Sequence, residues 1–233
     1  MRHIAHEVTD VDSKYISSFR ALIFAPGKLT EEFFAGRRDR YLSPLKLFLI
    51  VGALSLVLAW DTVLDWNGAA QKITTGTSYP VILRHVRDGP LFVRELLHRT
   101  GEYMSWLRFG SVFGLAAALK LIYRKRALPY MQHVIFAFHY YAMDFFLFTL
   151  LGVAVSLTHR ITGSYPPQAL ARVHFLLLLV YVFIALRRLY PESKTRLALR
   201  SALVLIADTL VYSLAQGLSA LVAMLVLLIQ MWK

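Results

Sequence analysis

The chain has 233 residues, of which 57% are hydrophobic and 17% are charged, and its formal net charge is +12. This apolar content lies far above that of soluble globular domains and indicates a membrane protein. Because the sequence has no cysteine, disulfide bonds, thiolate zinc sites and thiol nucleophiles are excluded. The basic residues lie between apolar runs instead of along one face, an arrangement that sets membrane topology, so we expect no nucleic-acid partner.

The first 43 residues predict a cytoplasmic region that is amphipathic or interfacial. Its polar beginning, MRHIAHEVTDVDSKY, lacks the apolar core and cleavage site of a signal peptide. Residues 13–24 place apolar side chains at helical spacing. After a PG turn, Thr30 is expected to cap a short helix that ends at Gly36. Both helices could lie in the lipid headgroup layer or pack on the protein itself, and the sequence leaves these alternatives open.

Residues 44–233 predict a transmembrane domain, and the fold class is an all-α polytopic membrane bundle of about five helices. A helix needs about 20 apolar residues to cross a hydrocarbon core of roughly 30 Å. The predicted spans cover residues 45–64, 104–123, 134–158, 169–186 and 201–229. The last is long enough to require tilt or a kink near Gly217. Before the second span, residues 88–101 predict an interfacial helix.

The orientation follows from the distribution of lysine and arginine. If the N-terminus is cytoplasmic, 17 of the 26 basic residues face the cytoplasm. Six of the other nine lie in or beside the long loop between the first two spans, where charge has less influence on topology. The sequence therefore predicts a multi-pass protein of the bacterial cytoplasmic membrane with its N-terminus inside and its C-terminus outside.

Two segments, PGKLTEEFFAGRRDRYLSPLKLFL and the later LPYMQHVIFAFHYYAMDFF, resemble a widespread family of uncharacterised bacterial multi-pass membrane proteins. That family shares a P-G turn, the pattern G-[KR]-R-x-R-Y-x-x-P-x-[KR]-L-F-L where the chain enters the first span, and a later segment with the pattern Y-x-x-H-x-x-F-x-x-H. The matching positions here are Pro26, Gly27, Gly36, Arg37, Arg38, Arg40, Tyr41, Pro44, Lys46, Tyr130, His133, Phe136 and His139. Many members carry an N-terminal zinc ribbon, which this chain lacks. The resemblance implies a fold and a compartment and adds little about activity.

Ionisable side chains inside predicted spans are the candidates for function, because each costs about 2.5–3.5 kcal/mol in the membrane on insertion scales. His139 and Asp144 lie in the third span and Asp208 in the fifth. Since both spans run outward, the three groups are expected at similar depths as one polar cluster. Tyr140 and Tyr212 each lie four residues from an aspartate, so we expect each phenol to face the carboxylate of its own helix.

These residues favour a transporter, a channel or a lipid-handling protein that moves a small solute, an ion or a proton. The alternative is a non-enzymatic membrane scaffold or assembly factor, whose polar residues only join helices. A weaker alternative is a lipid-modifying enzyme, because residues 139–144 match the H-x-x-x-x-D pattern of glycerolipid acyltransferases. In a continuous helix, however, those two side chains lie about 140° apart. The sequence predicts no catalytic residue, cofactor or metal site.

Basic residues at the beginning of the first span suggest a second kind of site. Arg37, Arg38 and Arg40 can set topology or bind an anion or a lipid headgroup, at about 1 kcal/mol per charge. At the outer side, an ion pair between Asp61 and Arg108 is conceivable, although snorkelling toward the interface explains both residues as well. We expect membrane lipids as partners, and a homo-oligomer is compatible with the sequence.

Overall fold

The computed structural model describes residues 2–63, 89–163 and 167–231. All regular structure in these residues is helical. The helices are α1 (Arg2–Phe24), α2 (Lys28–Phe34), α3 (Pro44–Val63), α4 (Gly89–Ile122), α5 (Tyr130–Thr162), α6 (Pro167–Leu189) and α7 (Lys194–Met231). The prediction of an all-α protein is confirmed.

Two of the described helices, α5 and α7, are long and apolar enough to cross a membrane. Helix α4 adds a third if its segments Leu91–Met104 and Trp106–Ile122, which meet at 50°, form one bent span. Residues Pro44–Leu58 of α3 form a shorter apolar helix. The protein therefore has two or three candidate membrane-spanning helices by this measure, and the prediction of five spans is not confirmed.

Helix α5 lies at the centre of the bundle. It packs against α3 along one side and against α2, α4 and α6 elsewhere, while α4 packs along α7. Its side chains from His133 to Phe145 are buried almost without interruption. A helix that is apolar all round belongs in a protein core, which is the position that α5 takes. Polar side chains on α5 are therefore buried and need partners on neighbouring helices.

The connections after α4 and α6 lie together at one end of the bundle, here called the loop end. Tyr123 and Tyr190 stack there with ring centroids 4.2 Å apart. Arg126 donates to the Glu192 carboxylate at 2.6 Å, and Arg200 pairs with the same oxygen. Helices α4 and α6 therefore end, and α5 and α7 begin, at the same end of the molecule.

The N-terminal helices pack against this bundle. Gly27 joins α1 to α2 with φ +79°, and a Cβ atom there would lie 2.8 Å from the Ala185 carbonyl oxygen of α6. Arg188 donates to the carbonyl oxygens of Ala25 and Pro26 at 3.3 Å each. The same guanidinium lies 3.5 Å from the Glu31 carboxylate. The PG turn is thus held directly on the backbone and the last turn of α6.

The boundaries of α2 differ in part from those expected. The helix begins after Gly27, and Thr30 is a buried residue of its first turn instead of its N-cap. The prediction that Thr30 caps the helix is therefore wrong, because the helix begins directly after the PG turn. At the other end Gly36 has φ +77°, and the N–H groups of Gly36 and Arg37 donate to the carbonyls of Phe33 and Glu32. This is a Schellman motif.

Two serines fix the path from α2 into α3. The Ser18 hydroxyl of α1 accepts the Leu42 N–H at 2.8 Å. Ser43 precedes Pro44, and its hydroxyl accepts the Lys46 N–H at 3.3 Å, which is an N-cap followed by proline at the first helical position. The sequence SPLK therefore starts α3 at a defined residue.

Three predicted features are changed or extended by the structure. Residues 13–24 belong to the longer α1, which packs on α2 and α5 yet leaves Ile16 and Phe24 more than two-thirds exposed. The segment expected at 88–101 is not a separate helix, because its described part forms the first half of α4. Helix α7 continues through Gly217.

We predict that Gly27→Ala weakens the contact between the N-terminal helices and α6. Both the left-handed backbone and the overlap with Ala185 oppose a side chain, and we expect the free energy of unfolding to fall by about 2 kcal/mol or more. The measurement is denaturant unfolding in detergent, with the rate of tryptic cleavage near Arg20 as a local readout.

Gly36→Ala is the matched control, because Gly36 has a similar φ of +77° and no neighbouring atom lies within 4 Å of its Cβ position. It should carry the backbone cost without the steric overlap. Equal losses of stability in the two variants would show that the approach to Ala185 contributes nothing.

Candidate functional site

Asp144 lies near the middle of α5 and its side chain is 8% exposed. One carboxylate oxygen is 3.6 Å from the Arg108 guanidinium on α4. The other is 3.1 Å from Nε2 of His174 on α6. A buried carboxylate requires such partners, because an uncompensated charge in a low-dielectric interior is strongly destabilising. Three helices therefore meet at Asp144.

Asp208 on α7 is held by the two tyrosines that precede Asp144 on α5. Tyr140 donates to one oxygen of Asp208 at 2.7 Å, and Tyr141 donates to the other at 2.8 Å. The Tyr141 hydroxyl also lies 3.4 Å from the Ser111 carbonyl oxygen of α4. Both oxygens of this carboxylate thus have a phenol donor, which ties α7 to α5.

The two aspartates belong to one group of polar side chains from four helices, here called the central cluster. Its members are Arg108, Tyr140, Tyr141, Asp144, His174 and Asp208. With both aspartates ionised and the histidine neutral, the cluster has a net charge of −1, and protonation of the histidine makes it neutral.

Arg108 has aromatic neighbours in addition to Asp144. Its guanidinium carbon lies 4.7 Å from the centre of the Phe145 ring and 5.6 Å from that of Tyr212. Such cation–π contacts stabilise an arginine that is removed from water. Tyr212 therefore borders the central cluster through Arg108, and not through the expected contact with Asp208 on its own helix.

The expected pairing within α5 is also replaced. Tyr140 donates to Asp208 on α7, and not to Asp144 four residues along its own helix. A tyrosine side chain is long enough to reach across a helix interface, and the Tyr140 hydroxyl donates to the carboxylate on α7. The side chain of Asp61 lies outside the described residues, and Arg108 pairs with Asp144.

His139 does not join the central cluster. Its Nδ1 atom lies 2.9 Å from the Thr30 hydroxyl of α2, and its ring meets Phe33 edge-on at 5.9 Å. His139 and Asp144 face different partners on a helix that is continuous from Tyr130 to Thr162. The expected set of three groups thus separates into the central cluster and a contact with the N-terminal region, and His139 and Asp144 do not form the pair that the H-x-x-x-x-D pattern would require.

Three members of the central cluster, Arg108, Tyr141 and His174, were not expected there. Arg108 was assigned to the outer side of the membrane, where exposure to the interface explains a charge. One signal was present in the sequence, since an arginine within the apolar run MSWLRFGSVFGLAA needs a buried partner more than an arginine in a loop does. The identity of that partner depends on how the helices pack.

The arginines before α3 lie on the surface. Arg37, Arg38 and Arg40 are exposed in the connection between α2 and α3. Arg37 donates to Glu32 at 2.6 Å, and this hydrogen bond lowers the pKa of Glu32. Arg40 lies 6.0 Å from the Tyr41 ring. These side chains form an exposed basic surface.

Two arginine side chains lie over the aromatic stack at the loop end. Burial raises the pKa of Tyr190 to about 12, and the opposing effects of Arg126 and Arg200 are smaller. Arg126 lies over the Tyr190 ring at 5.3 Å and Arg200 over the Tyr123 ring at 4.4 Å. The tyrosines therefore remain neutral at physiological pH, and their rings form cation–π contacts with the two arginines.

A model of the family described as "Protein of unknown function (DUF3667)" matches residues 12–56. The match spans the second half of α1, all of α2 and most of α3, which includes the PG turn and the basic connection. Searches of curated proteins and of solved structures found no significant match. The similarity supports a relation to an uncharacterised family and does not indicate an activity.

We predict that replacing Tyr140 and Tyr141 together by phenylalanine destabilises the bundle. The partly buried Asp208 carboxylate would lose both phenol donors, and the free energy of unfolding should fall by about 1–3 kcal/mol. Denaturant unfolding in detergent, followed by circular dichroism, measures the change.

Tyr130→Phe is the matched control, because its hydroxyl donates to the Phe113 carbonyl oxygen at an exposed position. It should cost less than about 0.5 kcal/mol. In an Asp208→Leu background the double tyrosine substitution should cost almost nothing, and an equal loss in both backgrounds would mean that the hydroxyls act independently of Asp208.

Proposed function

We propose that the protein is a multi-pass protein of the bacterial cytoplasmic membrane with five helical passes, formed by α3 to α7. Helices α3 and α6 contain 20 and 23 residues, which meets the length of about 20 that a bilayer requires. The bent α4 would cross with its second segment and lie near the outer interface with its first.

Apolar side chains on the outside of the bundle support this topology. Each of the five helices exposes large hydrophobic residues, as lipid-facing surfaces do. Those on α3 and α6 include Leu54, Leu56, Val57, Phe175, Leu176, Leu177, Val180 and Ile184. Contiguous exposed apolar surface of this kind is rare on soluble monomers.

The distribution of charge supports a cytoplasmic loop end. The connection after α4 carries the basic sequence RKR, and the last turn of α6 contains Arg187 and Arg188. Helix α2, which precedes the exposed arginines before α3, packs on α6 near the same end. Cytoplasmic loops are enriched in lysine and arginine. The N-terminus would therefore lie inside and the C-terminus outside.

Within this topology, we propose that the central cluster carries protons or a small solute. The proposal rests on the observation that Asp144 contacts both an arginine and a histidine, which lie on two other helices. A proton or a cation at Asp144 would compete with Arg108 for the carboxylate and loosen the contact between α4 and α5. The side chains of Arg108 and His174 are 24% and 25% exposed, so the cluster is not sealed from its surroundings.

The topology can be tested directly, because the chain has no cysteine. We predict that single-cysteine variants D39C and K125C react with a membrane-impermeant maleimide only after lysis, whereas I161C reacts in intact spheroplasts. All three positions are exposed at the surface of the described structure. Labelling of D39C in intact spheroplasts would overturn the proposed orientation.

The transport proposal predicts loss of proton flux in Asp144→Asn and Asp208→Asn. The purified full-length protein is reconstituted in vesicles, a potassium diffusion potential is applied, and internal pH is followed with a trapped dye. Each variant should lower the flux at least about tenfold, because the amide cannot exchange a proton. Asp39→Asn, in the exposed connection before α3, is the control and should keep wild-type flux.

Two results would contradict transport. Wild-type flux equal to that of protein-free vesicles would exclude a proton pathway, and unchanged flux in correctly folded aspartate variants would exclude the cluster. The scaffold alternative is favoured by one contact, the phenol pair on Asp208 that ties α7 to α5. It predicts no flux at all, together with lower thermal stability of Asp208→Asn and loss of a co-purified partner.

A further inference from the structure

A surface cleft of about 330 Å³ opens at the loop end, between the end of α4 and the beginning of α5. Its polar lining consists of Lys120, Tyr123, Arg124 and His133, and its remaining surface comes from Ala127, Leu128 and Pro129. Among these lining residues there are two cations and no carboxylate. The cleft therefore has a positive lining that no acidic residue of its own neutralises.

Two polar atoms of the lining residues are buried without a hydrogen-bond partner in the described structure. They are Nδ1 of His133 and the hydroxyl of Tyr123. His133 is only 1% exposed and Tyr123 only 2%. Buried polar groups almost always have partners, so an unsatisfied pair beside a cleft calls for an explanation. Both can donate a hydrogen bond, and an acceptor anion in the cleft would provide the partner.

Two further features favour an anion at this place. The cleft borders the first turn of α5, where unpaired backbone N–H groups and the helix dipole attract negative charge. Beside it, Leu121 and Met131 are 71% and 64% exposed. A charged cleft next to exposed apolar side chains suits a molecule with an anionic head and an apolar chain.

We propose that this cleft binds a phosphate group, with Lys120 and Arg124 as its counter-charges and His133 and Tyr123 as donors. The phosphate can belong to a phospholipid headgroup or to a small soluble phosphate, since both present the same oxygens. The cleft is separate from the central cluster, so its test and the transport test have independent outcomes.

The test compares the full-length protein in neutral detergent with the double variant Lys120→Gln and Arg124→Gln. Native mass spectrometry measures the binding of phosphatidylglycerol, with diacylglycerol of the same chains as the phosphate-free probe, and calorimetry measures inorganic phosphate. Each basic side chain near an anionic headgroup contributes binding free energy of about 1 kcal/mol. Removal of both cations should therefore weaken binding about 30-fold. Because both side chains are exposed, the variant should keep its helix content.

The matched control is Lys125→Gln with Arg187→Gln, which removes two exposed charges from the same end of the bundle outside the cleft. It should change the affinity less than about threefold. His133→Leu, with normal helix content, should weaken binding as well.

Selective loss of phosphatidylglycerol binding in the cleft variant supports a lipid ligand, and selective loss of inorganic phosphate binding supports a soluble one. Binding of neither probe, equal binding of diacylglycerol, or equal losses in the cleft variant and its control would overturn the proposal.

Discussion

The architecture depends on the requirement that a buried charge has a partner. Asp144 can be 8% exposed only because Arg108 and His174 approach it from two other helices, and the partly buried Asp208 accepts hydrogen bonds from two phenols. Removing one partner from such a set leaves an uncompensated charge, which costs far more than the set contributes as a whole. The relative placement of α4, α5, α6 and α7 is therefore constrained at one level of the bundle by ionic contacts, while apolar packing alone would permit many sliding arrangements.

A second constraint ties the N-terminal region to the same central helix. Thr30 contacts His139, which directly precedes Tyr140 of the central cluster, and Gly27 lies against the backbone of α6. The family match covers residues 12–56 and includes no member of the central cluster, so the similarity to that family lies in the N-terminal helices and most of α3. Because α5 is one continuous helix, a change at the His139 contact and a change at the tyrosines act on adjacent residues. The N-terminal helices are thus placed to affect the position of the phenols on Asp208.

Local patterns in the sequence predicted the helices well and their partners poorly. Apolar runs of suitable length located all of α3 to α7 to within a few residues at most ends, and Gly36 marked the end of α2 because only a left-handed residue can close that turn. Thr30 was misplaced because a threonine before two glutamates has the pattern of a cap, whereas its hydroxyl is used by a residue 109 positions away. Helical spacing likewise paired Tyr140 with Asp144, but it contains no information about the carboxylate on α7. Contacts between helices depend on rotation about each axis, which one sequence does not specify.

The two candidate sites on α5 differ in the way their polar groups are satisfied, and this difference suggests different roles. His133 and Asp144 are eleven residues apart, which is about 16 Å along one helix. At Asp144 the protein supplies a neighbour for each carboxylate oxygen, so occupation by a proton or a cation must displace an existing contact. At His133 a buried nitrogen has no partner among the described residues, so a ligand would add a contact without breaking one. A site of the first kind can exchange its occupant readily, whereas a site of the second kind gains stability from keeping its ligand, as a structural lipid or a resident anion would be kept.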